Sequence, residues 1–406
     1  MVFKTYKMND MKGKQGLVCM GLLLVLSSCS CHTGKQITAS GLQRKDFQTE
    51  VNGQHTDLFT LSNKQGMEVC ITNYGARVVS ILVPDRNGKR EDVVCGFSTI
   101  TEYMEQRQNF GSTVGRYIGR ILNARFTLDG VEYKLVPNNG KSGHISHGGN
   151  PGFADRIWKV EQADTHRVRL SYLSPDGENG FPGNLKVTLV YSLGEDDNAL
   201  DLTYEATTDA PTVLNLSHHS FFNISGNFTK SVEDQQLWVD ADRFTPYDDK
   251  KCVTGEYLPV AGTPLDFRMP HTIGECIDAD HPQLKVVNGY DHTWELNTKG
   301  DDTRPAAWVY DPTSGRKMEI FTTEPGMQIY TGNGLKGKMT GKGGIAYPFR
   351  SAVCFETMHF QDSPNQPGFP STVLRPGEVF RSHTVYKFES VSYTHLRAHE
   401  TRHDLV

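Results

Sequence analysis

The chain has 406 residues, 37% hydrophobic and 22% charged, with a formal net charge of −5. That length and balance describe a folded body with a sizeable core. Acids and bases are interleaved and form no basic stripe, which excludes a nucleic-acid partner.

The first segment is not part of that body. Lys12 and Lys14 precede an apolar run from Gly16 to Ser28, the charged-then-apolar order of an export signal and too short for a membrane span. The run ends at Leu26-Ser27-Ser28-Cys29, small residues before a cysteine, as in a bacterial lipobox. Cys29 would then be lipidated and become the new N-terminus. An ordinary signal peptide with a chance cysteine is the alternative. Met11 is a second start position that puts the two lysines directly behind it. Losing residues 1–28 removes four lysines and one aspartate, taking the formal charge from −5 to −8. The expected organisation is a lipoprotein signal peptide over 1–28, an anchor and polar linker over 29–45, one β-domain over 46–391 and a tail over 392–406. No acidic run follows Cys29, so the expected location is exported, lipid-anchored and periplasm-facing, and lipid is the only expected membrane contact.

From Phe47 onward, short alternating runs are cut by Asn-Gly, Asp-Gly and Pro-Gly pairs. "MEVCITNY" and "ARVVSILVPD" read as strands ending at a turn in "RNGKR". "ARFTLDGVEYKLV" reads as a hairpin turning at Asp129-Gly130. "HRVRLSYLS", "LKVTLVYSL", "ALDLTYEATT", "AAWVYDPTSGRKMEIFTT" and "MQIYTGN" alternate with period two, and "HTVYKFESV" reads as a closing strand. With no βαβ alternation and no internal linker, the pattern predicts an all-β fold, a large antiparallel β-sandwich of two packed sheets. Cys70, Cys95, Cys252, Cys276 and Cys354 are odd in number, widely spaced and lack a C-x-x-C, so no disulfide framework is expected. The last residues, Ser392–Val406, lose the alternation and hold three histidines. They read as a disordered tail or as a non-native string from a translated sequencing adapter.

Polar residues concentrate where strands meet turns: Arg116 and Arg120 in "GRYIGRILN", His147 in "HISHGGNPGF", His218 and His219 in "NLSHHSFF", Asp291 and His292 in "NGYDHTWEL", and Gln328 in "GMQIY". Adjacent histidines on a strand point to opposite faces, so at most one of His218 and His219 faces a given cleft. Glu356 is the sharpest signal. It lies in "SAVCFETMHF" among Val353, Cys354, Phe355, Met358 and Phe360, where a carboxylate is costly to bury unless paired or used. His144 and His147 are three apart, but their glycine-rich context does not suggest a helix, so no metal site is expected. The G-x-G-x-x-G from Gly332 to Gly337 is not followed by a helical pattern and fails the context test for a dinucleotide.

Taken in order, "ITNYGARVVSILVPDRNG", "TVGRYIGRI", "SHGGNPGF", "SPDGENGFPG", "PTVLNLSHHSFFNISG", "GYDH", "EPGMQIYTGN" and "CFETMHFQDSPNQPGFPSTVLRPGE" resemble the galactose mutarotase (aldose 1-epimerase) family over about residues 46–390. The resemblance implies a large antiparallel β-sandwich that interconverts the anomers of a free aldose such as galactose or glucose, with no cofactor. It implies Glu356 as the base at O1 and His219 as the acid at O5. It also implies His147, Arg120, Asp291 and Gln328 as sugar-binding groups, with aromatics such as Phe222 or Tyr330 lining the cleft. The implied partner is a small-molecule aldose, bound by a monomer or weak dimer. Gly119, His218 and Met358 depart from the family's usual asparagine, asparagine and glutamine and bear on sugar preference. The alternatives are a non-catalytic carbohydrate-binding lipoprotein, and a hexose-phosphate epimerase using Lys336 or Lys338 for the phosphate.

Overall fold

Alternation through Leu185–Leu193, Ala199–Thr208 and Phe380–Ser390 buries one face of each strand and leaves the other partly exposed. In the computed structural model, which describes residues 37–391, these strands form the middle of a nine-stranded sheet. Its order is Lys159–Ala163, Arg167–Ser174, Leu185–Leu193, Ala199–Thr208, Phe380–Ser390, Arg316–Thr322, Ala307–Tyr310, Gln236–Val239 and His271–Thr272. Every pairing within it is antiparallel. The last strand among the described residues, Phe380–Ser390, therefore sits in the interior of the sheet, between Ala199–Thr208 and Arg316–Thr322.

A six-stranded sheet runs in the order Phe221–Phe222, Val353–Met358, Gly326–Tyr330, Asp291–Glu295, Arg243–Thr245 and Leu258–Pro259. A four-stranded sheet of Leu58–Ser62, Glu68–Thr72, Arg77–Pro84 and Arg90–Asp92 adds to the two sheets anticipated from the pattern. Its two inner strands are mostly apolar and buried on both faces rather than alternating. One contiguous core joins all three sheets: Leu189, Leu202 and Ile320 from the first, Trp294, Ile329 and Phe355 from the second, Val69, Val78 and Ile81 from the third. Each such side chain contributes about 1.5–3 kcal/mol by leaving water. The predicted hairpin forms, with Leu128 facing Val131 across Asp129 (φ 50°) and Gly130 (φ 79°). Two successive left-handed residues are what a two-residue turn requires to match strand twist.

The strand Val353–Met358 positions the site. All six of its residues are buried. Val353 and Phe355 point into the common core, and Tyr386 from the nine-stranded sheet donates to the Phe355 carbonyl at 3.0 Å. Cys354, Glu356 and Met358 therefore share the opposite face. That face is closed by loops, which makes room for a cavity.

Residues 37–45, expected from composition to belong to a linker, are instead packed on the body. Leu42 is buried, and the buried Glu68 carboxylate accepts from the backbone N–H groups of Ala39 and Ser40 at 3.0 and 3.1 Å. A buried carboxylate needs such donors, and polar composition alone did not reveal that Glu68 would recruit them. Among the described residues, all five cysteines carry free thiols. Cys29 with the export-signal segment, and the tail over 392–406, lie outside the described residues.

Candidate active site

Strand register brings the first three polar groups together. Glu356 lies directly across from Gln328, Gln328 is opposite Thr293, and Asp291 is opposite Tyr330 one strand further on. With side chains alternating along each strand, Glu356, Gln328, Tyr330 and Asp291 occupy one face of the six-stranded sheet. Gln328 donates from Nε2 to Asp291 Oδ1 at 2.6 Å and accepts at Oε1 from the Thr293 hydroxyl at 2.5 Å. Its amide is thereby fixed in orientation.

His219 reaches the same face from the strand Ser217–His219, which pairs with Ser112–Val114. The two adjacent histidines do diverge. His218 turns away, its Nε2 on the Ser220 hydroxyl at 2.7 Å and its ring beside Tyr191 and Tyr386. His219 Nε2 lies 3.2 Å from Glu356 Oε1, and its Nδ1 lies 3.7 Å from the Cys354 sulfur. The ring is stacked on Phe221 at 5.1 Å and meets the edge of His147 at 5.4 Å.

Burial governs the charge of this pair. Glu356 and His219 are only 4% and 5% exposed. Loss of water pushes the Glu356 carboxyl well above the carboxylate range, reinforced by the nearby Asp291 charge. Loss of water likewise pushes His219 well below its ordinary value, reinforced by His147. Both shifts disfavour the charged forms and favour a carboxylic acid beside a neutral imidazole, one proton shared by the pair.

His147 comes from a strained loop. Its φ is 52°, and Gly148 and Gly149 follow with positive φ. A Cβ at Gly148 would fall 1.9 Å from the Gly115 carbonyl oxygen, which is why glycine follows this histidine. His147 accepts at Nδ1 from the Gly119 N–H at 3.4 Å, so Nε2 carries the ring proton as a donor. Burial, with the Arg120 charge second, lowers its pKa to about 4, keeping the ring neutral at physiological pH. Arg120 donates from one guanidinium nitrogen to the Lys251 carbonyl at 3.4 Å. Burial raises the Asp291 carboxyl, a shift that Arg120 opposes.

All six predicted site residues, Glu356, His219, His147, Arg120, Asp291 and Gln328, line one cavity of about 250 Å³. Arg116 does not: it is buried and donates to the Ser174, Pro175 and Pro182 carbonyls, a structural role. Tyr330 lines the cavity as expected, but Phe221 does so in place of Phe222, whose side chain belongs to the core. Period-two alternation on from His219 was the signal for that exchange. Lys336 and Lys338 are not among the lining residues. Gln108, Asn109 and Gln361 line it without having been anticipated, and Tyr247 stands behind, its hydroxyl accepting from Gln361 at 2.7 Å.

His219, Cys354 and Glu356 each bring one potential donor atom within 4.8 Å of the others. The arrangement fits an ion poorly. Burial holds the Cys354 thiol well above its ordinary value, whereas a metal needs the thiolate, and His219 and Glu356 already contact each other at 3.2 Å.

The arrangement supplies a buried acid–base pair beside polar groups, His147, Arg120, Asp291 and Gln328, that fit hydroxyls. Comparison with known proteins agrees. The family described as Aldose 1-epimerase matches residues 57–387. Galactose mutarotase of Sus scrofa is 39% identical over 81% of this chain and 93% of its own length. Aldose 1-epimerase of Escherichia coli (strain K12) is 36% identical over 83% and 96%. Among solved structures, an aldose epimerase homologue from C. elegans superposes with a TM-score of 0.76 at 31% identity, covering 83% of this chain and 100% of that one. Galactose 1-epimerase from Lactobacillus acidophilus superposes at 0.74 with 28% identity, covering 85% and 98%. The chain belongs to the aldose 1-epimerase family.

Proposed function

We propose that this isomerase interconverts the α and β anomers of free aldoses such as galactose and glucose through Glu356 and His219. The observation that carries the assignment is the 3.2 Å contact between two buried groups whose protonation states burial sets against charge. Ring opening removes a proton from O1 and delivers one to O5 while the C1–O5 bond breaks. A sugar whose O1 hydroxyl donates to Glu356 and whose O5 accepts from His219 Nε2 favours carboxylate and imidazolium, an isoelectric rearrangement of the resting pair. Glu356 then takes the O1 proton and His219 gives its proton to O5. The pair returns to its neutral form, and the sugar becomes the open aldehyde. Rotation about C1–C2 and the reverse transfers close the ring on the other face. Protons balance within the pair at every stage.

His147, Arg120, Asp291 and Gln328 serve as hydroxyl-binding groups in this reading, holding the sugar so that O1 and O5 meet their partners. The cavity volume suits a single monosaccharide ring. The test is polarimetry on freshly dissolved α-galactose, α-glucose, xylose and arabinose with the 37–391 body. Accelerated approach to the anomeric equilibrium is expected with at least one hexose. Tight sugar binding with no acceleration on any of them would instead support a carbohydrate-binding protein.

The lipid anchor is part of the same proposal. The charged-then-apolar segment and the Leu26–Cys29 sequence support an exported enzyme held at a membrane by lipid on Cys29. In a bacterial host the full chain is expected in the membrane fraction and labelled by radioactive fatty acid. Cys29→Ala should lose the label and leave the membrane fraction; retention of the label would place the lipid elsewhere.

A further inference from the structure

Gly119 leaves a gap in the cavity wall that another residue fills. Its φ is +73°, and a Cβ there would lie 2.5 Å from Gln361 Cγ and 2.9 Å from Gln361 Cδ. The Gln361 side chain thus folds across the face of Gly119, and both residues line the cavity. Gln361 is 4% exposed, and its amide orientation is set by its neighbours. Oε1 accepts the Arg120 backbone N–H at 3.2 Å, a contact only the oxygen can make. Nε2 donates to the Tyr247 hydroxyl at 2.7 Å and to Gln328 Oε1 at 3.3 Å.

These contacts use both amide hydrogens and one of the two lone pairs on Oε1. What the side chain still has to offer the cavity is an acceptor, so its complement is a hydroxyl donor. The two oxygens on C1, O1 and O5, are already committed to Glu356 and His219 in the proposed mechanism. The hydroxyl for Gln361 therefore belongs to another carbon. Through Gln328 and its bond to Asp291, this acceptor is also joined to the groups that hold the rest of the sugar.

We infer that Gln361 is a specificity-determining residue, accepting a hydrogen bond at Oε1 from one aldose hydroxyl outside C1, in the space that Gly119 leaves open. The inference rests on the acid–base assignment above. A buried acceptor built for a hydroxyl discriminates against the sugar that lacks it, because the acceptor is left unpaired.

The experiment compares kcat/KM for the parent hexose and its 2-, 3-, 4- and 6-deoxy analogues in wild type, Gln361→Leu and Gly119→Ala. With wild type, one deoxy sugar is expected to lose about tenfold relative to the parent. With Gln361→Leu the parent itself should lose about tenfold, chiefly in KM, and that same deoxy sugar should lose nothing further. Gly119→Ala keeps the amide but displaces it from the other side, and should flatten the deoxy profile in the same way. Thermal midpoints separate this from unfolding, since an unfolding fraction lowers all sugars equally and leaves their ratios untouched. Identical deoxy profiles in active wild type and both variants would overturn the role of Gln361 alone. Absence of wild-type activity on every parent aldose would overturn the acid–base reading beneath it.

Discussion

Glu356→Gln is expected to lower kcat for anomer interconversion by about 10³-fold to 10⁴-fold while leaving the fold and sugar binding intact. Glutamine has the shape of the protonated carboxyl that burial favours here, and it can keep a hydrogen bond to His219 across the 3.2 Å gap. It cannot accept a proton from O1. The loss should therefore fall on kcat, with KM and the thermal midpoint little changed. Polarimetry on a freshly dissolved α-anomer measures the rate, and calorimetric titration with the same sugar measures binding. A variant that equilibrates anomers at the wild-type rate would show that the base lies elsewhere.

The second large effect is that of His219→Asn, with an expected loss of about 10²-fold to 10³-fold. The pair carries one proton between its members, so removing either member disables the same step. The double variant Glu356→Gln/His219→Asn should be little worse than the poorer single variant; losses that multiply would contradict a shared proton. The pH profile provides a second check. In wild type the acid limb is set by adding a second proton to the pair, opposed by the lowered His219. The alkaline limb is set by losing the shared proton, opposed by the raised Glu356. Activity should therefore be flat through neutral pH. In His219→Asn, Glu356 titrates alone, and the residual rate should rise with pH as its carboxyl ionises. A residual rate independent of pH would exclude Glu356 as the remaining base.

The site was legible in the sequence wherever strand geometry or an ordered motif carried it. Glu356 stood out as a carboxylate in a strand suited to burial on both faces, and strand alternation set His218 and His219 on opposite faces, while the ordered motif singled out His219. The same alternation counted against Phe222. What could not be read lies where contacts join distant loops. Gln361 follows the end of its strand, and its meaning depends on Gly119 and Tyr247, each in a different segment. Tyr247 has no periodic context that would direct it toward a cavity. The β-rich architecture was likewise plain from period-two runs, whereas the sheet order was not. Nothing local tells the run "HTVYKFESV" that its neighbours are Ala199–Thr208 and Arg316–Thr322. Nor does composition indicate that the polar residues 37–45 find their partners on Glu68.

The placement of Phe380–Ser390 in the interior of the nine-stranded sheet has a consequence for the timing of folding. Until that strand is available, Ala199–Thr208 and Arg316–Thr322 each present an unpaired edge, and the sheet exists as two pieces. Synthesis must pass Ser390 before the central ladder can zip together. Loop closure over such a span makes this a slow, late event. Ending the message early would thus yield two sticky half-sheets rather than a smaller stable enzyme.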